Sequence, residues 1–129
     1  MTYQADALRT EGTPDFISPA FFGGDVEHAR KIARLLHALL GLVSETGEIA
    51  DQLKQHLIYG KPLDEVNLVE EQGDFSWYAN VMVDAIGSTW EASWAKNIAK
   101  LKVRFPDKFT QAQAIDRDHG AERAVMETP

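Results

Sequence analysis

Two pairs of acidic residues, each spaced by about one helical turn, are the residues of this sequence best suited to chemistry. Glu45 and Glu48 form the first pair, and Glu71 and Asp74 form the second. Side chains three residues apart lie on the same face of an α-helix. Four converging carboxylates need positive charge, and an all-oxygen cluster suits a hard divalent cation such as Mg²⁺ or Mn²⁺. Two helices that each carry two acids one turn apart can hold such a cation between them.

The helix faces that carry both acid pairs continue into small and apolar residues. These neighbours are Gly41, Leu42 and Ile49 around the first pair, and Tyr78, Val81 and Ala85 around the second. A purely solvated stripe would not continue in this way, so we expect both pairs to point at helix–helix interfaces. The alternative interpretation is a solvated acidic face with surface salt bridges, which contribute little to stability.

Four helices are expected to position these residues, and no strand-like alternation occurs, so the predicted class is all-α. The expected helices span residues 3–9, 26–59, 65–86 and 88–104. Asp25 and Asp64 are the expected N-caps of the second and third, and Ser88 with Glu91 forms a capping box for the fourth. The prediction is a single domain, 1–129, with an N-terminal helix and loop over 1–24 and a polar tail over 106–129.

Composition restricts the classes of function. The net charge of −7 argues against tight nucleic-acid binding, which requires clustered Lys and Arg. The absence of cysteine excludes disulfide and thiolate chemistry. No apolar run approaches the roughly 18 residues of a membrane span, and the N-terminus lacks an apolar signal region. A cytoplasmic protein is the resulting expectation.

The second and third helices carry more apolar surface than one chain of this length is expected to cover. We name one set of residues on the second helix the leucine stripe: Ile32, Leu36, Leu39, Val43, Ala50, Leu53 and Leu57. A second stripe contains Leu35, Leu42 and Ile49, and the third helix adds Phe75, Met82 and Ile86. Large exposed apolar surfaces mark interfaces, and closed symmetry favours a dimer or a dimer of dimers.

The segments "ETGEIADQLK" and "EEQGDFSWY" resemble the MazG-like nucleotide pyrophosphohydrolases. The signature of that family is ExxE, a spacer, then ExxD with a glycine before the aspartate. Here a spacer of 22 residues, 49 to 70, separates the two motifs, and Gly73 precedes Asp74. The segments "NIAKLKVRFPDKF", "KQHLIYGKPLD" and "YQADALRT" extend the resemblance, to the small single-domain forms of phages and bacteria, over nearly the whole chain.

The resemblance implies a MazG-like four-helix bundle that is completed by oligomerisation. It implies hydrolysis of nucleoside or deoxynucleoside triphosphates to the monophosphate and pyrophosphate, with two or three Mg²⁺ per site, for which Mn²⁺ substitutes. Glu45, Glu48, Glu71 and Asp74 would hold the metals, and either Glu45 or Glu48 would also orient the attacking water. Some relatives have a further acid where this chain has Ser44, so the general base stays open. A bacterial protein, or a phage protein in the host cytoplasm, is implied.

The remaining site residues follow from the same resemblance. Lys54, Lys100 and Arg104 are the candidate phosphate ligands. Candidate nucleotide contacts are Asn97, Tyr78, Trp77, Asn80, Phe22 and, from a neighbouring subunit, Arg117. The alternatives are a solvated basic helix end and core aromatics. Base and sugar preference stay undecided. Two other functions also stay open: an acidic helical interaction module without catalysis, and a related pyrophosphatase that acts on another nucleotide.

Overall fold

Six α-helices and one 3-10 helix are present in the computed structural model, which describes residues 2–128, and no β-strand occurs among those residues. The helices are α1 (Tyr3–Leu8), the 3-10 helix (Pro19–Phe22), α2 (Val26–Tyr59), α3 (Glu65–Ala85), α4 (Trp90–Arg104), α5 (Gln111–Ile115) and α6 (His119–Glu127). The all-α prediction is confirmed. Among the helices described, none combines the length and the apolar character that crossing a membrane requires.

The two helices that carry the acid pairs begin at the predicted caps. Asp25 Oδ1 accepts a hydrogen bond from the backbone N–H of His28 at 2.9 Å, and Asp64 Oδ1 accepts one from Asn67 at 3.0 Å. Each bond satisfies an amide that has no partner inside its helix. Gly60 ends α2 with φ of 67°, a left-handed conformation that glycine adopts without steric cost.

The predicted capping box at Ser88 is wrong. The N-cap is one residue later, at Thr89, which accepts a hydrogen bond from the N–H of Ala92 at 3.2 Å, and the fourth helix begins at Trp90. The Ser88 hydroxyl instead lies 3.1 Å from that of Ser93. Both residues are good caps in isolation, and Thr89 takes the extended conformation that a cap requires.

Two short helices, α5 and α6, lie in the segment for which the sequence predicts only a polar tail. Thr110 caps α5 by accepting from the N–H of Gln113, and Asp118 caps α6 by accepting from the N–H of Ala121. Both are standard capping residues, so the local signals for these helix starts were present. The two helices were not predicted because they are short: five and nine residues are too few for a clear helical periodicity.

The chain divides into two compact units, residues 1–87 and residues 88–129. In the first unit α2 and α3 pack along each other, α1 packs against α3, and the 3-10 helix packs against α2. In the second unit α4 packs against α6. Both acid pairs belong to the first unit, whereas Lys100 and Arg104 belong to the second.

Small side chains form the buried faces of α2 and α3. The buried apolar residues of these two helices are Ala29, Ala33, Ala38, Val81, Val83 and Ala85. The closest approach is at Gly41, where an added Cβ would lie 2.2 Å from ring carbons of Tyr78. Glycine is therefore required at this position for the two helices to pack with Tyr78 between them.

The leucine stripe lies mostly on the exposed side of α2. Leu36 is 38% exposed, Leu39 is 50% exposed and Val43 is 64% exposed. Each of these residues is two positions before a buried one, which places it about 200° around the helix from the face that contacts α3. The second stripe, Leu35, Leu42 and Ile49, is half-buried. The face of α2 that packs on α3 is thus built from Ala38, Gly41 and Glu45 rather than from leucines.

Candidate metal centre

Three of the four predicted ligands come together between α2 and α3. Glu45 on α2 and Glu71 and Asp74 on α3 each offer a carboxylate oxygen, and these oxygens all lie within 4.8 Å of one another. Glu45 is 9% exposed and Glu71 is 6% exposed, whereas Asp74 is exposed. We name these three residues the carboxylate cluster. It has two buried members and one member that opens to solvent.

The environment of the carboxylate cluster opposes ionisation of Glu45. Burial raises the pKa of Glu45, and so does its hydrogen bond with Glu71. The nearby charges of Glu48, Asp74 and Glu71 raise it further. Two carboxylates at hydrogen-bond distance cannot both ionise without a proton or another cation between them. The cluster therefore needs positive charge.

Other buried carboxylates of this protein obtain that charge from arginine. Glu11 accepts two hydrogen bonds from Arg34, at 2.8 and 2.7 Å. Glu122 is held by Arg104 and Arg117, each with one contact of 2.6 Å. Among residues 2–128, no ion pair includes any member of the carboxylate cluster. Arginines therefore neutralise Glu11 and Glu122, whereas the carboxylate cluster has no cationic side chain paired with it in the described part of the chain.

The donor set of the carboxylate cluster fits a hard divalent cation. Mg²⁺ and Mn²⁺ prefer carboxylate oxygens, and three acidic side chains with a mutual separation of 4.8 Å or less can face one ion. Glu48, the fourth predicted ligand, is exposed and is not a member of the cluster, although its charge helps to raise the pKa of Glu45. Its role as a ligand stays a prediction.

A cleft with an aromatic wall opens beside the cluster. Its volume is about 360 Å³, and it is lined by Thr10, Glu45, Asp74, Trp77 and Tyr78. The two rings contact each other edge to face, with centroids 5.0 Å apart. A cleft of this size lies within the range of small-ligand sites. The predicted contacts Trp77 and Tyr78 thus lie next to the acids.

Hydrogen bonds and close packing fix both rings of this wall. Trp77 Nε1 donates to the carbonyl of Ala7 at 3.1 Å and to the hydroxyl of Thr10 at 2.9 Å. Tyr78 packs over Gly41, and its ring lies edge to face with that of His37 at 5.6 Å. The N-terminal segment therefore forms one rim of the cleft and is held there by Trp77.

Two further candidate nucleotide contacts lie away from the cleft lining. Asn80 is fully buried, and its Nδ2 donates to the carbonyl of Gln4 at 3.2 Å, so it links α3 to α1. Phe22 lies in the 3-10 helix with its ring 4.4 Å from that of His28. Both side chains have structural contacts in this arrangement, and neither lines the cleft.

The predicted phosphate ligand Lys54 forms a surface ion pair with Asp51, three residues earlier on α2. The hydrogen bond with Asp51 and its charge raise the pKa of Lys54, and the same contact lowers the pKa of Asp51. Each side chain remains about half exposed, at 48% and 46%. Pairs of this kind are weak, so the lysine can exchange partners at little cost.

The remaining candidate phosphate and nucleotide ligands belong to the second unit. Arg104 donates from Nε and Nη2 to the carboxylate of Glu122 at 2.9 and 2.6 Å, and Arg117 donates to the same carboxylate at 3.2 and 2.6 Å. Lys100 is half-buried and Asn97 is exposed. Two of the four candidates are thus engaged by Glu122, a residue that the sequence reasoning did not single out. Phosphate and nucleotide binding by all four stays a prediction.

Because Arg104 and Arg117 both bind its carboxylate, we expect Glu122 to stabilise the fold at neutral pH. Hydrogen bonds from Arg104 and then Arg117 lower the pKa of Glu122 well below its usual value of 4.5. A carboxyl group with a lowered folded-state pKa stabilises the fold above pH 4.5 and loses that effect as the pH falls further. We expect Glu122→Gln to lower the Tm at pH 7, and the difference from wild type to shrink below pH 4.5. Thermal denaturation by circular dichroism checks this, and a difference independent of pH would contradict it.

Four residues that shape the site had no predicted role there. Thr10 lines the cleft, Gly41 seats Tyr78, His37 supports the same ring, and Asn67 donates to Glu71 at 2.8 Å. Asn67 and Gly41 had a signal, since each lies four residues before a cluster member on the same helix. His37 lies one turn before Gly41 on the same helix, so it had a signal of the same kind. Thr10 had none, because its contact with Trp77 depends on how the N-terminal segment folds back.

Comparisons with known proteins identify no relative of this chain. No protein-family model matches the chain, and neither a curated protein nor a solved structure shows a significant match to it. The carboxylate cluster, its cleft and the motif spacing are therefore the features that indicate a function.

Proposed function

We propose that this protein is a divalent-cation-dependent hydrolase that cleaves (deoxy)nucleoside triphosphates to the monophosphate and pyrophosphate. The observation that carries the proposal is the carboxylate cluster. Glu45, Glu71 and Asp74 converge within 4.8 Å beside a cleft of about 360 Å³. The two acidic motifs, with their spacing and with Gly73 before Asp74, support the assignment to MazG-like chemistry.

The proposed role of each residue follows from where it lies in the carboxylate cluster or in the cleft. Glu45, Glu71 and Asp74 would hold Mg²⁺, with Glu48 completing the set at the exposed end. Bound Mg²⁺ would offset the negative charge of the phosphates and lower the pKa of water. Either Glu45 or Glu48 would orient the water for attack. Trp77 and Tyr78 present ring faces and edges in the same cleft, so they would bind the nucleoside.

Burial of the acids favours this proposal over an acidic docking surface. A docking surface presents its charges to a partner, whereas Glu45 is 9% exposed and Glu71 is 6% exposed. Isolated buried carboxylates take up protons, and this makes them poor docking charges. Asp74 and Glu48 are exposed, and in this proposal the ligand enters the cluster from their side.

A nucleotide panel tests the proposed reaction. The purified chain is incubated with canonical and modified ribo- and deoxyribonucleoside triphosphates and with diphosphates, in Mg²⁺ and separately in EDTA. We expect pyrophosphate and the monophosphate in equal amounts from at least one triphosphate, only with the metal. Release of orthophosphate and a diphosphate would refute the cleavage position. No cleavage of any triphosphate, with Mg²⁺ or with Mn²⁺, would refute the reaction.

We further propose that a second copy of the chain covers the leucine stripe. Leu39, Val43 and Leu57 are 50%, 64% and 77% exposed, and they lie along one face of a 34-residue helix. Leaving such a face in water is unfavourable, and an isologous dimer buries the same face on both copies. Two long helices from each copy would then form a four-helix bundle.

The dimer proposal makes a prediction about mass. Wild type should sediment at micromolar concentration with at least twice the chain mass of 14.4 kDa. Val43→Lys should sediment at the monomer mass, because it places a charge at the centre of the stripe. Val26→Lys is the matched control, since Val26 is 52% exposed on the same helix but off the stripe. A wild-type monomer, or a dimer unaffected by Val43→Lys, would contradict the proposal.

A further inference from the structure

Asn67, one turn before Glu71 on α3, donates a hydrogen bond into the carboxylate cluster. Its Nδ2 lies 2.8 Å from Glu71 Oε1. The other end of the same amide, Oδ1, is buried and has no hydrogen-bond partner among the residues described. Glu71 itself is 6% exposed, so this contact is made in an environment that excludes most water.

The orientation of this amide follows from its neighbour. If the amide were rotated by 180°, Oδ1 would face the carboxylate oxygen of Glu71, and two acceptors would oppose each other. The NH₂ group must therefore point at Glu71, which leaves Oδ1 unpaired in the interior. An unpaired buried acceptor destabilises a fold. Asn67 thus supplies a donor to Glu71 and leaves its own oxygen unsatisfied.

We propose that Asn67 is a positioning residue that holds the Glu71 carboxylate for the cation, an inference that rests on the proposed function. Glu71 is hydrogen-bonded to Glu45, and Asp74 lies beside both. Without a donor, this carboxylate could rotate away from the two neighbouring acids. The Asn67 donor fixes the rotation of the carboxylate. Groups that orient metal ligands typically change metal affinity by about 10- to 100-fold when they are removed.

A substitution by leucine separates positioning from a structural role. Asn67→Leu keeps a similar volume, removes the donor and also removes the unpaired oxygen. We expect the Mn²⁺ dissociation constant to rise about 10-fold or more, while the Tm stays the same or increases. A residue with only a structural role would show the reverse, a lower Tm with unchanged Mn²⁺ affinity.

Two controls complete the design. Asn67→Gln retains an amide donor on a longer side chain, so it should recover part of the affinity that Asn67→Leu loses. Gln72→Leu makes the matched polar-to-apolar change at an exposed position of α3, and it should leave Mn²⁺ affinity unchanged. The measurement is a Mn²⁺ titration of the full chain without nucleotide, followed by electron paramagnetic resonance, with thermal denaturation in parallel.

The outcomes separate this inference from the proposed reaction. Equal Mn²⁺ affinity in wild type and Asn67→Leu overturns the positioning role and leaves the cation centre intact. Weaker binding in Asn67→Leu, together with no triphosphate cleavage by wild type, upholds the positioning role and refutes the reaction. No saturable Mn²⁺ binding by wild type overturns both.

Discussion

Glu71→Gln should reduce pyrophosphate release by about 100-fold or more in kcat/KM, because it removes a proposed metal ligand, and removing a ligand costs at least as much as removing a group that orients one. The substitution preserves shape and removes one negative charge from a position that is 6% exposed. It also relieves repulsion within the carboxylate cluster, so we expect the variant to be at least as stable as wild type. Loss of activity without loss of stability is the pattern typical of a functional acid.

Glu70→Gln is the matched control for Glu71→Gln. It removes the same charge from the neighbouring residue of α3, but Glu70 is exposed and is not a member of the cluster. Steady-state kinetics on the substrate found in the nucleotide panel should show near wild-type values for this control. Equal kinetics for both variants would remove Glu71 from the site.

Gly41→Ala should destabilise the first unit and disturb the cleft, although alanine is the better helix former. The added Cβ would lie 2.2 Å from the Tyr78 ring, so that ring or the helix spacing must shift. Overpacking of this kind costs about 1–3 kcal/mol, against a gain of about 0.5–1 kcal/mol from the loss of backbone freedom at glycine. Because Tyr78 lines the cleft with Glu45 and Asp74, activity should fall as well.

Gly47→Ala is the control in the same helix. No atom lies within 4 Å of a Cβ added at Gly47, so only the helix propensity changes. We expect this variant to be more stable than wild type by about 0.5–1 kcal/mol. Urea denaturation monitored by circular dichroism measures both variants. If Gly41→Ala were as stable as Gly47→Ala, the tight contact with Tyr78 would not exist in solution.

Much of the first unit could be predicted because its signals are local. Asp25 and Asp64 precede long helical segments, and each caps the helix that the periodicity predicts. The two acid pairs have one-turn spacing on two long helices that were expected to pack together. This arrangement predicts that Glu45 lies close to Glu71 and Asp74, as observed. The interpretation of small and apolar neighbours as a sign of burial is confirmed for Glu45 and Glu71, the two cluster members that are buried.

Other features depend on contacts between helices, which the helical periodicity of the sequence does not predict. Spacing identified the leucine stripe as one face of α2, but not the direction in which that face points. The face that packs on α3 has Ala38, Gly41 and Glu45, and at Gly41 the Tyr78 ring occupies the space that a side chain would need. Likewise, Arg104 binds Glu122 on a short helix that no pattern predicted.

A Mn²⁺ titration of wild type, Glu71→Gln and Glu70→Gln tests most directly whether the carboxylate cluster is a cation centre. Free Mn²⁺ is followed by electron paramagnetic resonance, with Mg²⁺ added at the end as a competitor. The cluster predicts saturable binding of at least one ion per chain to wild type and Glu70→Gln, release of Mn²⁺ by Mg²⁺, and binding at least about 10-fold weaker in Glu71→Gln. Absence of saturable binding in wild type, or equal affinity in all three proteins, would contradict it.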